Sequence, residues 1–199
     1  MFTGIAEGTG EVSKLKKSDE IIQLEVAHDL SLDDLTVNDS ISVSGICLTV
    51  VDASNDSFQV EMVPETLSKT TAKYWEIGTK LNLERAMLQT TRIGGHFLQG
   101  HVDAVIKILK IVEYKNSALF TLEIEDSLIK YIVEKGYVGI DGLSLTVAKK
   151  SSNLIDIAVI PHTLGITNFN NKKEKDNVNL EIDMIAKYVE NFTTPYANQ

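Results

Sequence analysis

A single cysteine, Cys47, in 199 residues means that no intrachain disulfide can form. The chain is therefore expected in a reducing cytoplasm. Three prolines and twelve glycines argue against a Pro- or Gly-rich linker or a low-complexity segment. No apolar run approaches the ~20 residues that span a bilayer. The start, Met1-Phe2-Thr3-Gly4-Ile5, lacks the basic and long apolar regions of a secretory signal. Positive charge is in deficit: 19 Lys and Arg against 28 Asp and Glu give a formal net charge of -9. Such a surface repels phosphate backbones and anionic lipid, so neither nucleic acid nor a membrane is an expected partner. No Gly-rich dinucleotide loop follows a strand-like segment. What is there is an ordinary globular composition, 43% hydrophobic, enough to bury a core.

The chain also repeats itself. Ser44-Gly45-Ile46-Cys47-Leu48-Thr49-Val50 matches Asp141-Gly142-Leu143-Ser144-Leu145-Thr146-Val147 at an offset of 97. The same offset brings Pro64, Thr66, Leu67 and Thr70 onto Pro161, Thr163, Leu164 and Thr167, and Asn82-Leu83-Glu84 onto Asn179-Leu180-Glu181. Earlier in each half the register is expected to differ. Gly8-Thr9 pairs with Gly100-His101 at 92, which gives the second copy a few extra residues. A period this long is a domain duplication rather than a solenoid. The expected division is 1–92, 93–184 and a tail from 185 to 199.

Each copy reads as β. Apolar and polar residues alternate over Ile22–Val26, Phe58–Met62 and Leu81–Glu84, and again over Ile155–Val159 and Val178–Ile182. Short strands at regular spacing predict an all-β chain of two small closed barrels, which leave no sheet edge exposed. Helices are few. Asp126 is expected to cap one carrying Leu128, Ile129, Ile132 and Val133 on a single face. Pro64 and Pro161 suit the first position of single helical turns. Ile185, Tyr188, Val189 and Phe192 lie at helical spacing in the tail.

Several stretches together resemble the riboflavin synthase family. They are Met1 to Ile5, Gly45 to Val50, Leu83-Glu84-Arg85-Ala86, Gly94-Gly95-His96-Phe97-Leu98-Gln99-Gly100-His101-Val102-Asp103, Lys135-Gly136-Tyr137, Gly142 to Val147, and Val178 to Asp183. The resemblance covers essentially the whole chain and is specific through its order and spacing. It implies two Greek-key barrels and a C-terminal helix through which a homotrimer forms. It implies dismutation of two 6,7-dimethyl-8-ribityllumazine molecules to riboflavin and 5-amino-6-ribitylamino-uracil, with no metal and no redox cofactor. Each barrel would bind one lumazine, the active site lying between the N-terminal barrel of one subunit and the C-terminal barrel of another. Association with lumazine synthase is a question that it leaves open.

Two flat rings must be held in reacting register, a carbanion stabilised and protons moved. On one strand, Cys47 and Thr49 share a face opposite Leu48 and Val50. Taken alone, Cys47 is best read as a small buried hydrophobe, the usual fate of a free cysteine. The resemblance reverses that preference and implies catalytic roles for Cys47, Ser40 and Thr49. It also places His101 by the active site and a functional acid at Asp183, otherwise a solvated turn carboxylate. His96 is preferred as a strand-end histidine with a satisfied hydrogen bond. Lys135 reads most simply as an exposed helix-end lysine, with a charge contact near the second lumazine as the implied alternative. The resemblance makes Ser144, Thr146 and Thr163 the polar contacts of the second pocket. It sets the backbone of Met62, Val63 and Pro64, and of Ile160 to His162, against the ring edge. Phe2, Thr3 and Gly4 would lie beside the catalytic pocket.

The main rival is a non-catalytic lumazine or flavin carrier of the same duplicated fold, such as the antenna proteins of luminous bacteria. Those lose the thiol and the Gly-His run, whereas this chain keeps Cys47, His96 and His101. A flavin-binding barrel of an oxidoreductase would need a nicotinamide-binding partner domain, and no dinucleotide loop is present.

Overall fold

The computed structural model describes residues 1–18, 20–32 and 34–193. Six strands close the first barrel: β1 (Gly8–Lys17), β2 (Ile22–His28), β3 (Ser40–Val43), β4 (Ile46–Ala53), β5 (Ser57–Met62) and β6 (Lys80–Arg85). Their order around the ring is β1-β2-β5-β4-β3-β6, a Greek-key order in which every neighbour is antiparallel. The second barrel repeats it with β7 (Ala104–Tyr114), β8 (Ser117–Glu123), β9 (Tyr137–Ile140), β10 (Leu143–Ser151), β11 (Leu154–Val159) and β12 (Asn177–Glu181). Alternation does what the sequence implies: Leu24, Val26, Phe58 and Val60 fill one barrel, and Phe120, Leu122, Ile155 and Ile157 the other. Bulges recur at equivalent places, between Val12 and Lys14 and between Ile108 and Lys110, bending each strand around its barrel.

Pro64–Lys69 (α1) and Pro161–Ile166 (α2) are the two short helices that the prolines predict. Met184–Thr193 (α3) is the tail helix, and residues 194–199 of the expected tail lie outside the described residues. The helix expected after Asp126 is not formed. Residues Ile129–Tyr131 make only one 3-10 turn, and the chain then enters β9 at Tyr137 through a left-handed residue, Lys135, at φ 67. Leu128, Ile129 and Ile132 still pack on the barrel core, while Val133 is exposed. Lys135 is consequently not at a helix end; its Nζ donates to Ala148 O at 2.8 Å.

The barrels meet about a pseudo-two-fold axis. The hairpin turns Ser44-Gly45 and Asp141-Gly142 both have positive φ at both residues, the conformation of a two-residue hairpin. They abut so closely that a Cβ on Gly45 would lie 2.6 Å from Gly142 N. Around them, Asn82 Nδ2 donates to Asp141 O at 2.9 Å, and Asn179 Nδ2 donates to Ser44 O at 2.8 Å. Asn82 Oδ1 accepts from Asn168 N, and Asn179 Oδ1 accepts from Thr71 N. Two buried amides, each from one barrel, thus satisfy backbone groups of the other.

Candidate functional site

On each barrel, one antiparallel pair presents polar groups outward. In the first, Ser40 lies opposite Thr49 and Ser42 opposite Cys47, while Ile41 and Leu48 face the core. Cys47 and Ser40 are half-buried and Thr49 is exposed. In the second, Tyr137 lies opposite Thr146 and Gly139 opposite Ser144. The shared face of Cys47 and Thr49, expected from alternation, is therefore present and has a counterpart in Ser144 and Thr146.

Each face is edged by a segment belonging to the other half of the chain. Cys47 N donates to Gly100 O at 2.9 Å, and Ser144 N donates to Gly4 O at 2.8 Å. Gly4 and Gly100 share a left-handed backbone, at φ 76 and 75, which only glycine adopts freely. A Cβ on Gly100 would come within 2.6 Å of Cys47, and one on Gly4 within 2.5 Å of Ser144. The two segments pair with each other through Phe2 and Leu98, whose N–H groups each donate to the other's carbonyl. Beyond the glycines, Val102 packs on the first barrel's core and Ala6 on the second's.

This geometry corrects the early register. Gly100 is equivalent to Gly4, an offset of 96, so His101 corresponds to Ile5 and not to Thr9. β-pairing agrees: Thr9 lies opposite Asn82, and its equivalent opposite Asn179 is Val105. The second copy therefore carries one extra residue rather than a few.

Two buried carboxylates hold the rims. Glu84 accepts from Thr3 N at 2.7 Å, Thr3 Oγ1 at 2.8 Å and Gly4 N at 3.0 Å. Glu181 accepts from Gln99 N at 2.6 Å and Gly100 N at 3.0 Å. Burial pushes both carboxyls above the usual range, Glu181 to about 7, against the pull of those N–H donors.

His96 belongs to the second face rather than to a quiet strand end. Its Nδ1 lies 2.6 Å from Ser144 Oγ, its ring stacks on Tyr137 at 5.1 Å between centroids, and its buried Nε2 has no partner. Burial lowers its pKa while Asp183 raises it, which favours a neutral imidazole. Asp183 follows β12, and its Oδ1 accepts from Ile185 N at 3.0 Å, capping α3.

Ser40, Cys47, Thr49 and His101 are thus gathered on one barrel, and Ser144, Thr146, Thr3 and Gly4 on the other. Met62, Val63 and Pro64 lead from β5 into α1, and Ile160, His162 and Thr163 occupy the same place at α2. Phe2 is 1% exposed and packs inside the junction. Tyr137, Glu84 and Glu181 are site residues that the sequence reading does not single out, and His96 is one that it reads as structural. The repeat holds a signal for the first three: Tyr137 aligns with Ser40 at the offset of 97, and the two glutamates align with each other. Among the described residues, no group of three or more His, Cys, Asp or Glu side chains is placed to hold a metal ion. The two faces offer a thiol, hydroxyls and an imidazole on one side, and hydroxyls, a phenol and a second imidazole on the other.

The family model described as lumazine binding domain matches twice, over residues 3–86 and 99–183. The chain is 42% identical to the riboflavin synthase of Bacillus subtilis over 192 residues, covering 96% of this chain and 89% of that one. To the riboflavin synthase of Saccharomyces cerevisiae it is 40% identical over 202 residues, covering 96% and 85%. Among solved structures, LumP complexed with riboflavin superposes with a TM-score of 0.85 at 27% identity, over 92% of this chain and 99% of that one. LumP complexed with 6,7-dimethyl-8-(1'-D-ribityl) lumazine gives 0.83 at 26% identity over the same shares.

Proposed function

The chain belongs to the riboflavin synthase family, and from that premise we propose that it catalyses the dismutation of two 6,7-dimethyl-8-ribityllumazine molecules. One becomes riboflavin by gaining a four-carbon unit; the other, having lost it, becomes 5-amino-6-ribitylamino-uracil. The observation that carries this reading is the pairing of equal frames with unequal chemistry. Two equivalent outer faces each suit one lumazine, yet one holds Cys47 where the other holds Ser144. A donor and an acceptor of the same substrate need the same pocket with different reacting groups.

In this reading Cys47, Ser40 and Thr49 assist addition at the acceptor ring, and His101 moves a proton or orients the ring. Ser144, Thr146, Thr163 and Lys135 hold the second lumazine. Backbone at Met62 to Pro64 and at Ile160 to His162 meets the ring edges, and Thr3 and Gly4 complete the rim of the second face, with Phe2 buried behind them. Asp183 acts from the C-terminal barrel of a neighbouring subunit. The trimer would form through α3, whose Ile185, Tyr188, Val189 and Phe192 are all more than half exposed. Contiguous apolar exposure of this kind marks an interaction surface. Sedimentation of the full chain checks it: a monomer at micromolar concentration contradicts the shared site. No helix among the described residues is long and apolar enough to cross a membrane. A cytoplasmic location is the reading that the lone Cys47, suited to a reducing compartment, supports.

The test of the reaction is direct. Pure protein is incubated with 6,7-dimethyl-8-ribityllumazine, and riboflavin fluorescence is followed. One riboflavin per two lumazines consumed is the expected result. Tight binding without turnover would overturn it in favour of a carrier.

A further inference from the structure

We infer that Glu181 and Glu84 are positioning residues wired across the chain: each barrel's strand-end carboxylate sets the rim of the other barrel's site. Glu181 lies at the end of the second barrel's β12, yet the peptide that it grips, Gln99–Gly100, lies on the first barrel's Cys47. Glu84 lies near the end of the first barrel's β6, yet the peptide that it grips, Thr3–Gly4, lies on the second barrel's Ser144. This assignment rests on the proposed function for the identity of the ligand, but not for the wiring itself.

The reasoning is geometric. Both carboxylate oxygens of Glu181 are used, one for each successive N–H, so the peptide plane between Gln99 and Gly100 is fixed. That plane and the left-handed Gly100 decide where Gly100 O points, and it points at Cys47 N. The residue that emerges next is the exposed His101. Glu84 does the same for Thr3 and Gly4, adding the Thr3 hydroxyl, and there the residue that emerges is Ile5. Both glutamates are buried, at 7% and 5% exposure for Glu84 and Glu181, and both carboxylate oxygens of each accept from these rim segments. A buried carboxylate that accepts two backbone N–H groups cannot be replaced by an amide without leaving one donor unanswered. Burial raises the proton affinity of both groups, and the rim N–H donors pull against it.

The single cysteine provides a local reporter. In the full-length protein, Glu181→Gln should raise the rate at which a small neutral alkylating reagent modifies Cys47 by roughly tenfold, the factor that one hydrogen bond to a charged group represents. Glu84→Gln should leave that rate within about twofold. In a Cys47→Ser, Ser144→Cys background the only thiol sits on the other face, and the response should invert: Glu84→Gln accelerates its modification and Glu181→Gln does not. If Glu181→Gln fails to fold, Glu181→Asp keeps the charge but draws the carboxylate back, and it should give the same crossed pattern. Equal acceleration of both thiols, an uncrossed pattern or no change in either would each overturn the wiring. A titration with 6,7-dimethyl-8-ribityllumazine then links it to function: each variant should weaken one of two bound equivalents. Thiol rates need no ligand, so a crossed pattern in a protein that binds no lumazine would fail the proposed function and leave the wiring standing.

Discussion

The two barrels share ring order, bulge positions, hairpin turns and the amide pair at their junction, and they differ where they face outward. Ser40 and Cys47 of the first correspond to Tyr137 and Ser144 of the second across the repeat. His101 edges one face and Ile5 the other. Buried positions answer to packing, and both copies have the same packing to satisfy. Outward positions are free of it, and there the copies have separated. The junction constrains both copies at once: hairpin, amide and carboxylate each need their equivalent on the other side.

The junction should therefore break most easily. Gly45→Val puts a branched side chain at φ 82 and drives its Cβ to 2.6 Å from Gly142 N. Backbone strain and overlap together should cost on the order of 4 kcal/mol. The urea midpoint should fall, and the two barrels should begin to unfold in separate transitions, which fluorescence of Trp75 in the first core can follow against circular dichroism of the whole.

Glu181 sharpens the comparison through pH. Its carboxyl is raised from 4.5 to about 7, by burial first, against the N–H groups of Gln99 and Gly100 and the charge of Lys187, with Asp103 adding to the rise. The folded chain thus holds this proton more tightly than the unfolded chain. Its contribution to stability is fully present below pH 4.5 and is lost as pH rises through about 7. Measured against Glu181→Gln, wild-type stability should decline by roughly 3 kcal/mol across that window. Rim order should run the other way, since the ionised carboxylate is the better acceptor. Urea unfolding at a series of pH values for both proteins checks the first, and the alkylation rate of Cys47 checks the second. A difference between the proteins that does not vary with pH would remove Glu181 as the titrating group.

Much of this comparison was legible in the sequence, and the parts that were not have physical reasons. Strands with one wet face, such as Ile22–His28 and Leu154–Val159, alternate plainly. β3 and β9 did not, because both of their faces are covered: Ser42 is buried close to the turn at Gly142, and Gly139 lies under Leu98. The early register failed because Gly4 and Gly8 offer the same letter to Gly100, and only the left-handed φ that Gly4 and Gly100 share tells them apart. The stripe from Leu128 to Ile132 buried its apolar residues as a helix would, but one 3-10 turn was sufficient. His96 and Tyr137 meet only through the fold, and no local pattern announces a stacking partner.

Cys47→Ser gives the first face the residue that the second already has at Ser144. The fold should keep its stability, while turnover falls roughly a hundredfold if the thiol serves the chemistry. Ser144→Cys should change turnover far less. If the first substitution is silent, the difference between the faces is not where the reaction is decided.

Asp183 gives the smallest effect and the cleanest separation of two roles. Its equivalent in the first copy is Ala86, so the backbone there tolerates alanine. Its Oδ1 accepts from Ile185 N and caps α3, so Asp183→Ala should cost about 1 kcal/mol through the helix alone. Asp183→Ser keeps a capping oxygen and loses the carboxylate. If the acid is functional, both variants should be slow, and only Asp183→Ala should melt earlier. If the residue merely seats the helix that brings subunits together, Asp183→Ser should recover both stability and turnover. Mixing Asp183→Ser with Cys47→Ser and allowing subunits to exchange carries the question across the interface, because a mixed assembly contains one site in which both residues are intact. Returning activity would place the carboxylate beside a neighbour's thiol. With exchange verified by mass, its absence would rule out the pairing of these two residues across the interface.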